Sequence, residues 1–401
     1  MPRFARFLAV AVRALIVGAC LLGIWNSWKM AYADLLFRQD TAEAIRSAIL
    51  FAPDNSAYYM RLAQVDEGHA IGLLRSSLAL DHYNAQADIE LGLRFEAGGD
   101  PGQAENFLLQ AAAIDHTYLP RWSLANFYLR RDNMPAFWTW ARSAAEIPGD
   151  DMGALFELCW RVSPDPDRIG AIILNDNPQL VRQYLDFLLG KGQLQAAAGA
   201  ALRLVRDEGP ETDRALMFSV VNQLVGANDA TEANALWHRL IQDHWAVADT
   251  TVPNNPSFSR NPQPVSFDWA LSSYDGLHSW PGPYGLETEF SGVEPESCTI
   301  AEQTVALQPG NYTLKFSYHS SGIAPDTGIR WQIVDAKSDA VLAESSDLSS
   351  DTQRQLQLPF SVTPQSPLVR LRMIYKRSLG TTRIAGTLVI PSIEIQNYSQ
   401  A

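Results

Sequence analysis

Four kinds of side chain in this sequence have the types that chemistry uses, and spacing decides among them. Histidines 69, 82, 116, 238 and 244 invite a metal site. None of them pair at i, i+3 or i, i+4, and no cysteine or carboxylate completes a ligand set. They read as turn positions or solvated side chains. Cys20, Cys159 and Cys298 fall in three separate segments, which is neither a disulfide framework nor a metal cluster. The carboxylate pairs Asp150 with Asp151 and Glu294 with Glu296 read as loop charges. Glycosidase chemistry needs two opposed carboxyls in a cleft, which a sequence alone does not place. No nucleophile elbow, phosphate loop, HExxH or dinucleotide fingerprint occurs. The expectation is therefore a non-enzymatic protein with no cofactor and no metal.

Aromatic residues remain, in two groups. Sugar recognition needs flat rings for pyranose faces and amides or carboxylates for hydroxyls. Phe267, Trp269, Tyr274, Trp280, Tyr284 and Trp331 supply rings. Trp280 and Tyr284 stand in the Gly/Pro-rich loop Trp280-Pro281-Gly282-Pro283-Tyr284. There an exposed ring asks for a reason, and binding and simple packing are both open. Trp331, mid-strand, reads as core. Trp269, Tyr274, Trp280 and Tyr284 are the glycan-binding candidates. The second group is Trp122, Asn126, Phe127, Trp138 and Trp140. Its rings either pack between helices or line a groove, with Trp122, Asn126, Phe127 and Trp138 the protein-binding candidates.

The elements that position the second group are helical from Asp40 onward. In Ala85 to His116, two amphipathic helices flank Gly98-Gly99-Asp100-Pro101. Gly92, Ala104 and Ala111 are small where two helices must approach closely, and Leu91, Phe95, Leu108 and Ile114 fill the gaps. Asp81-His82 and Asp115-His116 repeat 34 residues apart, and Leu91, Gly92, Phe95 and Ala111 recur as Leu124, Ala125, Tyr128 and Ala144. This spacing resembles the tetratricopeptide repeat, a helix-turn-helix unit of about 34 residues. It departs at Asp88, where the motif prefers Trp, and at His116, where it prefers Pro. The resemblance implies stacked hairpins whose first helices line a concave surface for a protein partner. Preceding units read at Thr41 to Ala52 and, compressed, at Tyr58 to Leu80 with a short turn at Glu67-Gly68. The next repeat spans 118–147. Beyond Pro148 come short helices at Asp151 to Val162 and Arg168 to Leu174. Then Leu180 to Leu189 pairs with Leu194 to Arg206, and Arg214 to Val225 with Ala233 to Gln242. About six hairpins result, irregular between Pro148 and Pro178.

The aromatic group at the C-terminal end sits among strands. Residues 250–266 are rich in Pro and Asn and cannot be helical; they form a linker, or an arm lying against the next domain. Eight segments follow with strand patterning: Leu286 to Phe290, Cys298 to Leu307, Asn311 to Tyr318, Gly328 to Asp335, Ala340 to Ala343, Gln353 to Phe360, Val369 to Lys376 and Gly386 to Glu394. Pro309-Gly310 and Asp335 to Asp339 read as turns between neighbouring strands. Eight or nine strands in this length predict a β-sandwich of jelly-roll type. Gln303 to Leu314, with its Pro309-Gly310 turn and Tyr312, resembles the galactose-binding-like jelly rolls, including several families of carbohydrate-binding modules. That resemblance implies the fold first and a polysaccharide ligand second.

Composition bounds the rest. The 401 residues suffice for two or three domains, and 47% hydrophobic with 19% charged residues describes a folded protein. A net charge of −13 argues against nucleic acid. Arg3, Arg6 and Arg13 precede or interrupt the apolar run Phe7 to Trp28, about 33 Å long as a helix and enough to cross a bilayer. Trp25 and Trp28 suit the far interface, and the positive-inside bias keeps the N-terminus in the cytoplasm. Cleavage after Ala33, in Ala31-Tyr32-Ala33, and lipidation at Cys20, in Val17-Gly18-Ala19-Cys20, compete with an uncleaved anchor. All three export the chain into a bacterial envelope.

The expected organisation is a signal anchor or transmembrane segment over 1–33, an all-α tetratricopeptide-like solenoid over 34–249, a linker over 250–266 and an all-β sandwich over 267–401. The leading function is a non-enzymatic scaffold at the cytoplasmic membrane, with the bulk of the chain periplasmic. It holds an envelope protein through the array and serves exopolysaccharide or cell-surface assembly. The alternatives are a carbohydrate-binding protein with the array as spacer, and a hydrolase with an unrecognised site.

Overall fold

The computed structural model describes residues 2–147, 149, 151–175, 177–205 and 211–397, leaving aside the side chains of 2–12 and 14. The chain divides into two compact units, residues 1–175 and 176–401. The division falls inside the helical sequence, so the second unit combines helices with the sandwich.

The first unit is helical. It comprises α1 (Pro2–Phe37), α2 (Ala42–Phe51), α3 (Ser56–Val65), a 3-10 turn (Glu67–His69) and α4 (Ala70–Leu80). It continues with α5 (Ala85–Ala97), α6 (Pro101–Ile114), α7 (Tyr118–Arg130), α8 (Met134–Ala145), α9 (Gly153–Val162) and α10 (Pro166–Ile173). The turns stop and restart helices with Asn and Asp. Asn55, Asn84, Asp100, Asn133 and Asp165 each accept a backbone N–H of the following first turn. Pairs of helices close as hairpins. Gly92 shows why the small positions matter: a Cβ there would lie 2.7 Å from Leu108 Cγ and 3.2 Å from the Ala104 carbonyl oxygen. Beside that contact, Phe95 and Phe107 stack at 5.5 Å. Pro148 and Asp150, in the stretch expected to be irregular, lie outside the described residues.

Among the described residues no helix is long and apolar enough to cross a membrane. The apolar run Phe7 to Trp28 that carried this expectation lies partly outside them. Its described portion is uninterrupted only from Leu15 to Trp25, about half the span a bilayer needs.

The second unit opens with two hairpins, α11 (Pro178–Gly190) with α12 (Leu194–Leu204), and α13 (Glu211–Gly226) with α14 (Ala230–Gln242). Arg206, the expected end of α12, lies outside the described residues. The sandwich strands are β1 (Ala270–Leu271), β2 (Ser273–Tyr274), β3 (Leu277–Gly282), β4 (Gly285–Ser291), β5 (Ser297–Ala306) and β6 (Gly310–Ser321). They continue as β7 (Ile329–Asp335), β8 (Val341–Glu344), β9 (Arg354–Val362), β10 (Leu368–Lys376) and β11 (Ala385–Asn397). Two antiparallel sheets form, in orders β1-β5-β10-β7-β8 and β2-β3-β4-β11-β6-β9. Their inner faces share one core, in which Trp331, Leu371 and Val305 of the first sheet meet Leu286, Leu314 and Leu388 of the second. From β4 onward only the β7–β8 link stays within a sheet.

Two expectations change. Pro309-Gly310 does not join hydrogen-bonded neighbours: β5 pairs with β1 and β10, and β6 with β11 and β9. Hairpins and arches between sheets use the same turn residues, so local sequence cannot separate them. The stretch from Trp280 to Gly282 is the end of a strand, not a loop. Pro281 pairs with Leu286, and β2 covers β3 only at Leu277 and His278. The missing N–H of Pro281 thus falls on an uncovered edge, where proline is tolerated.

The Pro/Asn stretch is an ordered arm. The Asn222 side chain, on α13, donates to the Pro264 carbonyl oxygen (3.2 Å) and accepts from the backbone and hydroxyl of Ser266 (2.7 and 2.8 Å). Trp237 on α14 meets Phe267 at 5.9 Å. Asn254 and Gln303 exchange two hydrogen bonds of 2.9 Å. Ile395 and Ile393 of β11 donate to the carbonyls of Val252 and Pro256.

Candidate functional site

In the first unit, α7 presents Trp122 and Asn126 one helical turn apart, both half-buried. Trp122 stacks on Tyr118 at 5.9 Å, and the Asn126 amide donates to the Trp122 carbonyl oxygen at 2.9 Å. Phe127 and Trp138 lie inside. Phe127 is 2% exposed and meets Tyr128 edge-on. Trp138 packs edge-on against Phe137, with the Arg168 guanidinium 5.5 Å from its ring centre. Their burial places them in helix packing, whereas Trp122 and Asn126 are only half-buried.

Asp88, on α5, is fully buried, and among the described residues neither carboxylate oxygen has a hydrogen-bond partner. Burial pushes its carboxyl up to about 6. The site where the repeat motif prefers a tryptophan is thus occupied by a desolvated acid.

In the second unit the four ring candidates separate. Trp269 is core: it is 2% exposed, its indole N–H donates to the Asn255 carbonyl oxygen (3.1 Å), and its ring meets Phe258 and Trp331. Trp331 is also core, as its strand position implies. Tyr274 pairs with Leu277, whose side chain is buried, so register puts Tyr274 on the inner side at the sheet margin. Trp280 has the opposite parity and lies on the outer face. Tyr284, in the β3–β4 turn, is 71% exposed. The structure therefore brings Trp280 and Tyr284 to one end of one hairpin and leaves Trp269 and Tyr274 elsewhere.

Around Trp280 the register assembles a flat polar face on strands β3, β4, β11 and β6. One row is His278, Glu289, Thr387 and Ser321; the next is Trp280, Glu287, Val389 and His319. Beyond the bulge in β11, Ser392, Ser317 and Gln355 align. His278 stacks on Trp280 at 5.2 Å, and its Nδ1 lies 3.3 Å from the Ser273 hydroxyl. Glu287 folds over Gly282, where a Cβ would come within 2.2 Å of Oε1. That oxygen is shielded from water and has no hydrogen-bond partner. Among the described residues neither Glu287 nor Glu289 forms an ion pair. Sequence reasoning missed both glutamates and His278. Their i, i+2 spacing was visible, but their place beside Trp280 depends on which strands pair.

Among the described residues no three His, Cys, Asp or Glu side chains come together as a metal site. The buried thiol of Cys159 and the partly buried thiol of Cys298 are pushed up to about 12 and about 11, mainly by desolvation.

No protein-family model matches the chain, and no curated protein sequence does. Solved structures similar to its parts include YrrB, a tetratricopeptide protein with an unusual peptide-binding site (13% identity, 51% of this chain, 93% of that one, TM-score 0.25). A family 4 carbohydrate-binding module is also similar (13% identity, 36% and 99%, TM-score 0.28). So is the N-terminal cellulose-binding domain of a Cellulomonas fimi β-1,4-glucanase (16% identity, 39% and 100%, TM-score 0.27). At these scores the fold stands on the elements themselves: helical hairpins followed by a two-sheet antiparallel sandwich.

Proposed function

We propose that the protein is a non-enzymatic adaptor of the bacterial envelope that binds a polysaccharide on the outer face of its six-stranded sheet and a protein partner through its helical hairpins. The observation that carries the first half is Trp280. A partly exposed indole on the outer face of a sheet, flanked by carboxylates, hydroxyls and an amide, has the parts that pyranose recognition uses. The flank of α7 with Trp122 and Asn126 supports the second half. A role in exopolysaccharide or cell-surface assembly follows from joining the two.

An uncleaved membrane anchor at the N-terminus belongs to the same reading. Leu15, Ile16, Leu21, Leu22 and Ile24 are exposed along α1, and the helix continues without a break to Phe37. Ala33 is fully buried with Ile45 and Tyr58, and Asp34 accepts a hydrogen bond from the Tyr58 hydroxyl.

Affinity electrophoresis of the full chain through a panel of soluble polysaccharides tests the main claim. At least one polysaccharide should retard it, and Trp280→Ala should abolish the retardation without changing the thermal midpoint. Equal mobility of both proteins in every gel removes the carbohydrate half of the proposal.

A further inference from the structure

Resting on that carbohydrate reading, we infer that the ligand is a cationic glycan, a chain containing 2-amino-2-deoxyhexose units with free amines. Three observations lead there. First, Glu287 and Glu289 stand on one face of β4 with no ion pair among the described residues, in register with Trp280 and His278. Second, Glu287 Oε1 is closed to solvent and has no hydrogen-bond partner among the described residues, so the carboxylate meets a ligand through Oε2 alone. An ammonium at Oε2 would stabilise the partly desolvated charge, and the adjacent indole face attracts the same charge. Third, the nearest basic groups on the face do not neutralise the pair. Lys315 lies beyond the β11 bulge, directly opposite Glu394. His278 faces Ser273, and His319 is separated from Glu287 by Val389.

A glycan fits better than a lysine-bearing peptide. Strand addition needs a free sheet edge with N–H groups to offer, and the edge that β2 leaves uncovered on β3 carries Pro281, which has none. The face continues as hydroxyls and an amide at Thr387, Ser392 and Gln355, all exposed, groups that match sugar hydroxyls. The net charge of −13 favours approach of a polycation, and the local pair gives that attraction a position.

Calorimetry on the full chain compares glucosamine oligomers, N-acetylglucosamine oligomers and cello-oligosaccharides of equal length. The free-amine oligomer should bind at least about tenfold more tightly than either neutral one, the loss expected for one hydrogen bond to a charged group. Glu287→Gln with Glu289→Gln should erase that preference, and added salt should weaken only the free-amine oligomer. The salt comparison uses the unaltered protein, so a misfolded variant leaves the test intact. Neutral oligomers binding as tightly, in a Trp280-dependent manner, would overturn the cationic assignment and leave the carbohydrate reading standing. No binding by any oligosaccharide removes both. An oligolysine peptide binding more tightly than the glucosamine oligomer, with the same dependence on Glu287, also overturns the inference and makes the face a protein-docking surface.

Discussion

Asp88 shows how one residue can set a pH dependence. Its carboxyl ionises near 3.8 in the unfolded chain and at about 6 in the folded one. Between those values the folded state holds the extra proton, so stability is greatest at acid pH and falls as pH rises through that window. The full loss at neutral pH is about 3 kcal/mol from the size of the shift. Asp88→Asn keeps the shape and removes the charge. Urea unfolding should show the variant more stable than the parent at neutral pH and nearly equal to it below the window. A parent whose stability is flat across the window would contradict this account. On the sheet face, Trp280 and Glu287 act at the same scale, one supplying surface and the other charge.

Between elements, the decisive quantity is how closely two backbones approach. Gly92 allows α5 to lie against Leu108 and the Ala104 carbonyl on α6. Gly92→Val should force those helices apart and cost about 1–3 kcal/mol, as overpacking does. A lower thermal midpoint with unchanged helical circular dichroism is the expected reading. The same logic governs the β3–β4 turn. Gly285 has φ +117, and a Cβ there would lie 2.2 Å from the Ile390 carbonyl oxygen. The turn that holds Tyr284 near Trp280 is therefore fixed by a glycine.

For the molecule as a whole, the helical region and the sandwich do not separate at the Pro/Asn arm. In the second unit, α13 and α14 hold the arm through Asn222 and meet the sandwich border through Trp237 and Phe267. A fragment of residues 177–397 should unfold cooperatively. One beginning at residue 252 should have a lower urea midpoint, since Phe267 alone loses burial worth about 2 kcal/mol. Equal midpoints would mean that the two hairpins contribute nothing to the sandwich.

Much of the architecture follows from local sequence. Asn84, Asp100 and Asn133 punctuate helices because their side chains satisfy the first free N–H groups. Gly92, Ala104 and Ala111 are small at helical spacing because two helices meet there. The alternation in β4, β9 and β10 reports one buried and one more open face. These are short-range constraints, so each is legible within a few residues. The candidate site was legible only in part. Trp280 stood out as an aromatic in a Pro/Gly stretch, yet that stretch also concealed the strand that aims it. Trp269 carries the same ring and is buried by an arm more than ten residues earlier in the chain. Glu287 and Glu289 came to lie beside Trp280 and His278 only when β4 paired with β3, and Asp88 gained its raised pKa only when burial desolvated it. Burial and register depend on partners distant in sequence. Residue type and spacing therefore determined the elements, and tertiary pairing decided which rings and charges share one face.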